Sequence, residues 1–424
     1  MVAQRQMLTC VVLVIGHMTG HVAKLSARDS NQKLKIDYLS EGLKVNKREG
    51  LSLMSQDKEL FTIGVEEEYQ IIHPETRELR SRGASILRKA QAEVGDEVQP
   101  ELYLSQIEIG TPICNSIAEV RAELKRLRGE VIAAAERDGS RIAAAGTHPF
   151  SHWDEQTLTP KERYLGIAED YAQLAREQLI FGCHVHIGIN DREAAISVMN
   201  RARGWLAPML ALASNSPFWL GVDTGYTSFR TEIWRRWPMA GTPHPFASRE
   251  EYDRLVECLV RTGSVEDGTK IYWDVRPSAR FETLEFRVTD VCMTIDEAVM
   301  TAGLARGLAR TCYAKASRNE PFKHSRPELL RAAKWRAARY GLDAVLIDVE
   351  AGAAIPAREL VEKLLDFVRP ALEEDGEWDE ISALVRQTVE RGTGAARQRE
   401  AHRRNGRLED VVDLIVAETA AGVA

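Results

Sequence analysis

The sequence lacks the cysteine pairs that mark disulfide-rich or zinc-binding domains. Its six cysteines are scattered over 424 residues, and no two of them form a Cys-x-x-Cys pair. This spacing favours reduced thiols over a disulfide framework and is typical of a cytoplasmic protein. Hydrophobic residues make up 44% of the chain, which is enough to bury a substantial core.

An excess of positive charge is also missing. The chain has 56 Lys and Arg against 63 Asp and Glu, a formal net charge of -7. A nucleic-acid-binding surface needs a concentrated basic face. We therefore expect small-molecule partners and no nucleic acid.

Long hydrophobic runs are absent from the sequence. The apolar run Leu8 to Gly16 is far shorter than the roughly 20 residues that a membrane-spanning helix needs, so we expect no membrane partner. A signal peptide is the alternative for this run, because Arg5 precedes it. We interpret residues 1–57 as an irregular extension or a mis-called start upstream of Met54, and residues 58–424 as one folded domain.

Two common nucleotide-binding motifs are missing as well. No GxGxxG follows a predicted strand, and no GxxxxGK[ST] loop occurs. Their absence disfavours the Rossmann and P-loop modes of nucleotide binding.

Hydrophobic periodicity instead predicts an α+β fold in which strands and helices are interspersed. The strands are expected near 61–72, 101–110, 141–146, 181–190, 271–275 and 281–290. The best helices are expected at 115–137, 191–213 and 295–316. From about residue 326 the pattern predicts helices alone, at 326–340, 356–372, 377–391 and 394–420.

Four of the predicted strands each have one polar and one apolar face. Side chains alternate along a strand, so residues two apart share a face. The apolar faces should pack against helices, and the polar faces should line one concave cavity. The polar faces carry Glu66, Glu68, Glu108, His184, His186, Glu285 and Arg287.

Each of these patterns has an ordinary structural explanation when taken alone. A glutamate pair is common on a solvated strand face, two alternating histidines are more often structural than ligating, and Glu285 with Arg287 could form a surface ion pair. Their coincidence on four strands favours a site for metal ions and an anion. Carboxylates with few histidines suit Mg²⁺ or Mn²⁺, which usually accompany nucleotide phosphates.

The segment 213–237 is rich in turns, aromatic residues and arginines, and we interpret it as a substrate-recognition segment. A guanidinium group binds carboxylates and phosphates through two parallel hydrogen bonds. Arg230 is thus a candidate for binding an acidic substrate, with Asn215 and Trp234 beside it in the segment. A surface salt bridge is the alternative for Arg230.

The order of five motifs resembles one known family. GVEEE, SQIEIGTP, CHVHIGI, NSPFWLGVDTGYTSFRTEIW and RPSARFETLEFR follow one another as in the bacterial carboxylate–amine ligases called type 2 glutamate–cysteine ligases. The resemblance runs from about residue 60 to the C-terminus and includes GTGAARQR at 392–399. It implies a glutamine-synthetase-like fold, in which a curved antiparallel sheet carries helices on its convex side and holds ATP and divalent ions on its concave side.

The resemblance also implies a reaction and its cofactors. ATP phosphorylates the γ-carboxylate of glutamate, and the amine of cysteine then displaces phosphate to give a γ-glutamyl amide, with Mg²⁺ or Mn²⁺ bound. The metal-ligand positions match Glu66, Glu68, Glu108, His186 and Glu285, and His184 matches a further ligand or a phosphate contact. Arg287 matches the arginine that neutralises the transferring phosphoryl group, and we expect it to be catalytic together with Glu285. Arg230 matches the position that binds the glutamate carboxylate, and Arg280 is a further candidate. Asn215 and Trp234 of the recognition segment complete the expected substrate-binding set.

Three other functions are compatible with these residues. The same ligase chemistry could use a different amine or acid. A metal-dependent hydrolase could use His184 and His186 to activate water, and a non-catalytic sensor would bind nucleotide without turnover. The amphipathic helices also allow a homodimer.

Overall fold

A computed structural model describes residues 60–423. The interpretations of residues 1–57, of the apolar run Leu8 to Gly16 and of a start at Met54 lie outside the described residues. The strands are β1 (Ile63–Ile72), β2 (Val98–Pro100), β3 (Gln106–Gly110), β4 (Arg141–Ala143), β5 (Gly182–Gly188), β6 (Phe218–Trp219), β7 (Val222–Asp223), β8 (Val275–Pro277), β9 (Thr283–Asp290), β10 (Val345–Asp348) and β11 (Ala353–Pro356).

The helices are also numbered in chain order. They are α1 (Gly83–Val94), α2 (Ile117–Glu136), α3 (Glu162–Tyr171), α4 (Gln173–Arg176), α5 (Arg192–Ala202), α6 (Leu206–Leu212), α7 (Phe229–Trp234), α8 (Arg249–Arg261), α9 (Ile295–Ser317), α10 (Pro327–Tyr340), α11 (Ala357–Glu374), α12 (Trp378–Arg391), α13 (Gly394–Asn405) and α14 (Leu408–Ala420). In the described part of the chain, no helix combines the length and the apolar character that a membrane crossing requires.

The main sheet is antiparallel, with strand order β2-β3-β1-β5-β9-β8 and with β4 paired to β1. Its register places polar residues of neighbouring strands side by side. Glu68 lies opposite Glu108 across β1 and β3, and His186 lies opposite Glu285 across β5 and β9. The predicted α+β fold with one polar sheet face is confirmed.

The other face of the sheet is the core, covered by helices as the alternation predicted. Polar side chains cap the N-termini of two of these helices: Ser116 accepts a hydrogen bond from the Glu119 amide at the start of α2, and Thr294 forms a capping box with Glu297 at the start of α9. Helix α9 is buried over most of its length. At Gly303 an added Cβ would lie 2.3 Å from Ile381, so the glycine lets α12 pack closely against α9.

The C-terminal region differs from the prediction of helices alone. Strands β10 and β11 form a hairpin between α10 and α11. The predicted helix 394–420 is two helices, because Gly406 adopts a left-handed φ of 69° and ends α13. The hairpin lies between the helices predicted at 326–340 and 356–372, in a segment for which no element was predicted.

Three of the predicted elements also have different limits. The strand predicted at 101–110 begins only at Gln106, and the one predicted at 271–275 is β8. The helix predicted at 191–213 is interrupted by a 3₁₀ turn at Arg203–Trp205. The segment 213–237 contains α7 and the small β6-β7 sheet, neither of which was predicted.

A buried ion pair joins helix α2 to the apolar side of the sheet. Glu67 points away from Glu66, and both of its carboxylate oxygens accept hydrogen bonds from Arg128, at 2.6 and 2.9 Å. Both side chains are fully buried. The Arg128 guanidinium also donates to the carbonyls of Cys292 and Met293, which lie between β9 and α9.

Replacing Arg128 with methionine is expected to lower the free energy of unfolding by about 3–5 kcal/mol, because it leaves the buried Glu67 carboxylate unpaired. Urea unfolding measures the loss. The double variant Arg128→Met/Glu67→Leu should recover much of it, and Arg137→Met, at an exposed position of the same chain segment, should change little. A single variant as stable as the wild type would contradict the importance of this pair.

Candidate active site

The polar face of the sheet forms the floor of a cavity of about 430 Å³. The structure brings nearly all of the residues predicted from sequence into its lining. These are Glu66, Glu68, Glu108, His184, His186, Arg230, Trp234, Arg280, Glu285 and Arg287. Asn215 is the exception.

Two groups of potential metal ligands share one carboxylate. Glu66 joins His186 and Glu285 in one group, and the ligand atoms of the group all lie within 4.8 Å of one another. The second group consists of Glu66, Glu108 and His184. One Glu66 oxygen lies 3.1 Å from His184 Nδ1 and the other lies 3.3 Å from His186 Nε2. Glu66 is therefore placed to bridge two cations.

The ligand atoms fit a divalent cation chemically. His186 Nδ1 lies 2.9 Å from the hydroxyl of Thr283, a contact that orients the ring, while its buried Nε2 has no hydrogen-bond partner among the described residues. The remaining ligands are carboxylate oxygens, which suit Mg²⁺ or Mn²⁺.

Glu68 lines the cavity but belongs to neither of these groups. One of its carboxylate oxygens accepts a hydrogen bond from the Gly182 amide at 2.7 Å. The contact ties β1 to β5 beside Glu108. Its assignment as a metal ligand stays a prediction, with one oxygen already occupied.

The charges in the cavity are set by burial and by close partners. Burial raises the pKa of Glu66, but its contacts with the imidazoles of His184 and His186 outweigh this effect and hold that pKa well below its usual range. Burial also opposes ionisation of Glu285, yet the charges of Arg287 and Arg276 lower its pKa. Both carboxylates are therefore ionised near neutral pH.

The pKa of Glu108 is shifted in the opposite direction. Burial raises its pKa well above the usual range, and the neighbouring carboxylates Glu66, Glu101 and Glu68 raise it further. A bound cation would favour the ionised form of Glu108, so metal binding should release protons.

Two arginines flank the carboxylate of Glu285. Arg276 donates to one of its oxygens at 2.8 Å, and Arg287 contacts the other. Arg276 also donates to the backbone carbonyl of Thr269, so it is tied to the protein. Arg287 keeps a buried Nε without a partner among residues 60–423 and lies over the Trp234 ring at 5.8 Å. Arg287 is thus the arginine that is free to meet a ligand.

Arg230 reaches the cavity because β5 begins with a glycine. An added Cβ at Gly182 would lie 2.4 Å from an Arg230 guanidinium nitrogen and 3.0 Å from His184 Nε2. Arg230 is buried in the first turn of α7, and a guanidinium nitrogen lies 4.0 Å from Asp290. The glycine therefore permits a close approach that any other residue would block.

Asp290 organises the residues around Arg230. Its carboxylate accepts hydrogen bonds from the hydroxyls of Ser216 and Ser228 and from the backbone amide of Asn215, at 2.7 to 2.8 Å. The Asn215 side chain donates to the carbonyls of Ala144 and Val291. The structure therefore corrects the prediction for Asn215, whose amide joins chain segments behind the cavity.

The cavity has further lining residues that the sequence did not reveal. They come from helix α3 and the residue before it, from the turn after α7 and from the loops before β3, β5, β8 and β9, and such loops carry no periodic pattern. Arg276 lies in β8 directly opposite Glu285 in β9, a pairing that depends on strand register. The others include Glu101, Lys161, Arg163, Tyr164, Gln178, Trp237, Tyr272 and Phe281.

Comparison with solved structures defines the class of fold. A glutamate–cysteine ligase from Francisella tularensis, solved in complex with AMP, matches with a TM-score of 0.63 at 13% identity, covering 87% of this chain and 91% of that one. A bifunctional glutathione synthetase from Pasteurella multocida matches with a TM-score of 0.61 at 15% identity, covering 88% of this chain and 54% of that one. The glutamine-synthetase-like ligase fold that the resemblance implied is confirmed.

Sequence comparison gives the family. The model of glutamate–cysteine ligase family 2 matches residues 62–414, and the chain belongs to this family. A protein of Solibacter usitatus named "Putative glutamate--cysteine ligase 2" is 41% identical over 374 residues, 88% of this chain and 97% of that protein. A protein of the same name from Roseiflexus sp. is 43% identical over 363 residues, covering 86% and 96%. The protein is therefore a member of a ligase family.

Proposed function

We propose that this protein joins the γ-carboxylate of glutamate to the amine of cysteine, using ATP and Mg²⁺ or Mn²⁺. An acyl phosphate forms first, the amine then displaces phosphate, and the products are a γ-glutamyl amide, ADP and phosphate. One observation carries the proposal: two ligand groups that share Glu66 lie in the same cavity as Arg230 and Arg287. Transfer of a phosphoryl group to a carboxylate brings several negative charges together, and this cavity is built to neutralise them.

The metal ions would be held by Glu66 with His186 and Glu285, and by Glu66 with Glu108 and His184. When bound, such ions neutralise phosphate charge and act as Lewis acids. The chain itself keeps Glu66 and Glu285 ionised through the histidines and arginines around them. Arg276 holds Glu285 in place from the side of β8.

Three donors on one side of the cavity would bind the anionic substrates. The Nε atoms of Arg230 and Arg287 and the Nε1 of Trp234 are buried and have no hydrogen-bond partner within residues 60–423. A buried donor without a partner costs free energy, so a ligand acceptor is expected there. Arg287 lies beside Glu285 and would stabilise the transferring phosphoryl group. Arg230 and Trp234 would orient the glutamate carboxylates.

Phe281 offers a surface for the adenine of ATP. Its side chain lines the cavity, is 60% exposed and stands edge-on to His186 with ring centroids 6.0 Å apart. Arg280, also exposed, precedes it at the same end of the cavity. A large exposed aromatic ring beside a phosphate-binding region is well suited to base stacking.

Replacing Phe281 with alanine is expected to raise the KM for ATP by about 5- to 150-fold with little change in kcat, because stacking on an aromatic side chain is worth about 1–3 kcal/mol per base. Steady-state ADP release at varied ATP measures it. Phe281→Trp keeps an aromatic face and should stay near the wild-type KM. An unchanged KM in Phe281→Ala would place the adenine elsewhere.

A substrate screen tests the reaction as a whole. The purified protein is incubated with Mg²⁺, ATP, glutamate and a panel of amines that includes cysteine, and ADP and the amide product are quantified. We expect ADP release to require both the acid and the amine, with one γ-glutamyl amide formed per ADP. Hydrolysis of ATP without an amine would indicate a hydrolase, and no ADP with any pair of acid and amine would count against ligation.

The homodimer that the amphipathic helices allow stays a prediction.

A further inference from the structure

A second cavity lies against the face of helix α7 that is turned away from the candidate active site. Arg230 and Trp234 share one face of this helix and line the active site, whereas Thr231 and Glu232 line the second cavity. The volume of the second cavity is about 580 Å³, which is within the range of small-molecule sites. The two cavities have no lining residue in common among residues 60–423. We call the second space the α7 cavity.

One part of the α7 cavity is aromatic. Its wall contains Phe246, Trp273 and Trp335, with Leu255 beside them. Phe246 and Trp273 are buried and their ring centroids lie 5.7 Å apart, so packing fixes both rings. The Trp335 Nε1 donates to the Tyr226 hydroxyl at 3.1 Å, which holds the third ring in place. A rigid wall of this kind suits a flat apolar group.

The polar part of the α7 cavity is an ion pair at the end of α7. Arg235 donates to Oε2 of Glu232 at 2.9 Å. The other oxygen of Glu232, Oε1, is buried and has no hydrogen-bond partner in the part of the chain that the structure describes. A guanidinium group has five N–H donors, and this contact uses one of them. The pair therefore offers an open acceptor directly beside open donors.

An acceptor beside donors is complementary to an α-amino acid. The ammonium group of such a ligand donates to Glu232, its carboxylate accepts from Arg235, and its side chain lies against the aromatic wall. Arg331 also lines the cavity and adds a second cation for the carboxylate. Hydrogen bonds between charged groups are stronger than those between neutral ones. An uncharged apolar molecule would leave the buried oxygen of Glu232 without a donor, which costs free energy.

The α7 cavity is connected to the active site through the elements that line it. Helix α7 carries Arg230 on one face and Thr231 on the other. Lys334 of α10 lines the α7 cavity and donates to both carboxylate oxygens of Asp274, at 2.7 and 2.9 Å. The Asp274 carbonyl in turn accepts a hydrogen bond from the Arg287 amide at 2.8 Å. A ligand that binds this arrangement stabilises the conformation in which Arg230 lines the active site.

We propose that the α7 cavity is a second ligand site, which binds an amino acid with a flat apolar side chain and thereby increases the affinity of the active site for glutamate. Binding in the α7 cavity is independent of the proposed function, whereas the effect on glutamate rests on it. Coupling between two sites is reciprocal, so glutamate tightens the binding of the amino acid by the same factor.

Calorimetric titration with L-phenylalanine tests the binding. Phenethylamine lacks the carboxylate and N-acetyl-L-phenylalanine lacks the ammonium group, so each should bind about 10-fold or more weakly than L-phenylalanine. Glu232→Gln and Arg235→Ala should weaken the binding of L-phenylalanine by a similar factor. The matched controls Glu250→Gln and Arg254→Ala each remove one half of an exposed ion pair on α8, and they should bind as the wild type does.

A variant of the active site shows which cavity is occupied. Arg287→Ala should bind L-phenylalanine as tightly as the wild type, because Arg287 does not line the α7 cavity. No binding to the wild type, or binding that is lost in Arg287→Ala and kept in Glu232→Gln, would overturn the site. A wild-type dimer that Arg235→Ala converts to a monomer in analytical ultracentrifugation would also overturn it, since a second copy of the chain would then cover the cavity.

Kinetics test the coupling. With an amine other than phenylalanine, added L-phenylalanine should lower the KM for glutamate by about 5-fold or more in the wild type and should have no effect in Glu232→Gln. An unchanged or higher KM would refute the coupling. A protein that binds L-phenylalanine in the α7 cavity but forms no amide from glutamate and ATP with any amine would refute the proposed function and support the second site.

Discussion

Replacing Arg287 with alanine is expected to lower kcat for ADP release by about 10³-fold or more, the effect typical of removing an arginine that neutralises a phosphoryl group in the transition state. Its guanidinium contacts Glu285 and lies over Trp234, with Nε left without a partner in the described part of the chain. Glu285 keeps Arg276 as a partner, so the fold should survive. Steady-state kinetics with the best amine, together with a thermal unfolding curve, measures both effects.

Replacing Arg287 with lysine distinguishes the effect of its positive charge from that of its planar guanidinium group. Arg287→Lys keeps the positive charge but loses the planar fork of donors, so it should recover only part of the rate. Arg254→Ala, on the exposed surface of α8, serves as the control. An Arg287→Ala enzyme with wild-type kcat would remove Arg287 from the phosphoryl-transfer step.

Replacing Glu66 with glutamine is expected to abolish measurable ATP turnover, a fall of at least about 10²- to 10³-fold. Its two oxygens face His184 and His186, and it is the carboxylate common to both ligand groups. An amide has the same shape but no charge, so both cations should bind more weakly. Titration with Mn²⁺ should show the loss of affinity directly, while the fold stays intact.

Because Glu66 belongs to both ligand groups, its replacement should differ in effect from the replacement of a ligand that belongs to one group. Glu285→Gln removes a ligand from one group and Glu108→Gln from the other, so each should weaken one cation more than the second. Glu66→Gln should weaken both. Glu78→Gln, at an exposed position after β1, is the matched control. Wild-type turnover in both Glu66→Gln and Glu285→Gln would refute the assignment of the site.

The strands that form the cavity floor could be predicted because alternation is a local property. In β1 the side chains of Glu66 and Glu68 face the cavity while Glu67 faces the core, as a period of two requires. The same rule placed His184, His186, Glu285 and Arg287 correctly. It needed no knowledge of which strands are neighbours.

Residues outside the strands could not be placed in this way. Asn215 and Arg230 lie in one segment, yet only Arg230 reaches the cavity, because α7 and Gly182 direct it there. Glu101 and Tyr164 are far apart from Glu285 in sequence, and loop contacts bring them to the same cavity.

The sequence by itself therefore determined the chemistry of the sheet face and, through the order of its motifs, the family. Both depend on short stretches of chain, in which side-chain direction follows from backbone geometry. The tertiary structure alone decided that Glu66 is shared by two ligand groups, that Arg276 supports Glu285 and that α7 lines two cavities. These features depend on strand register and loop packing, which are set by contacts between residues distant in the chain.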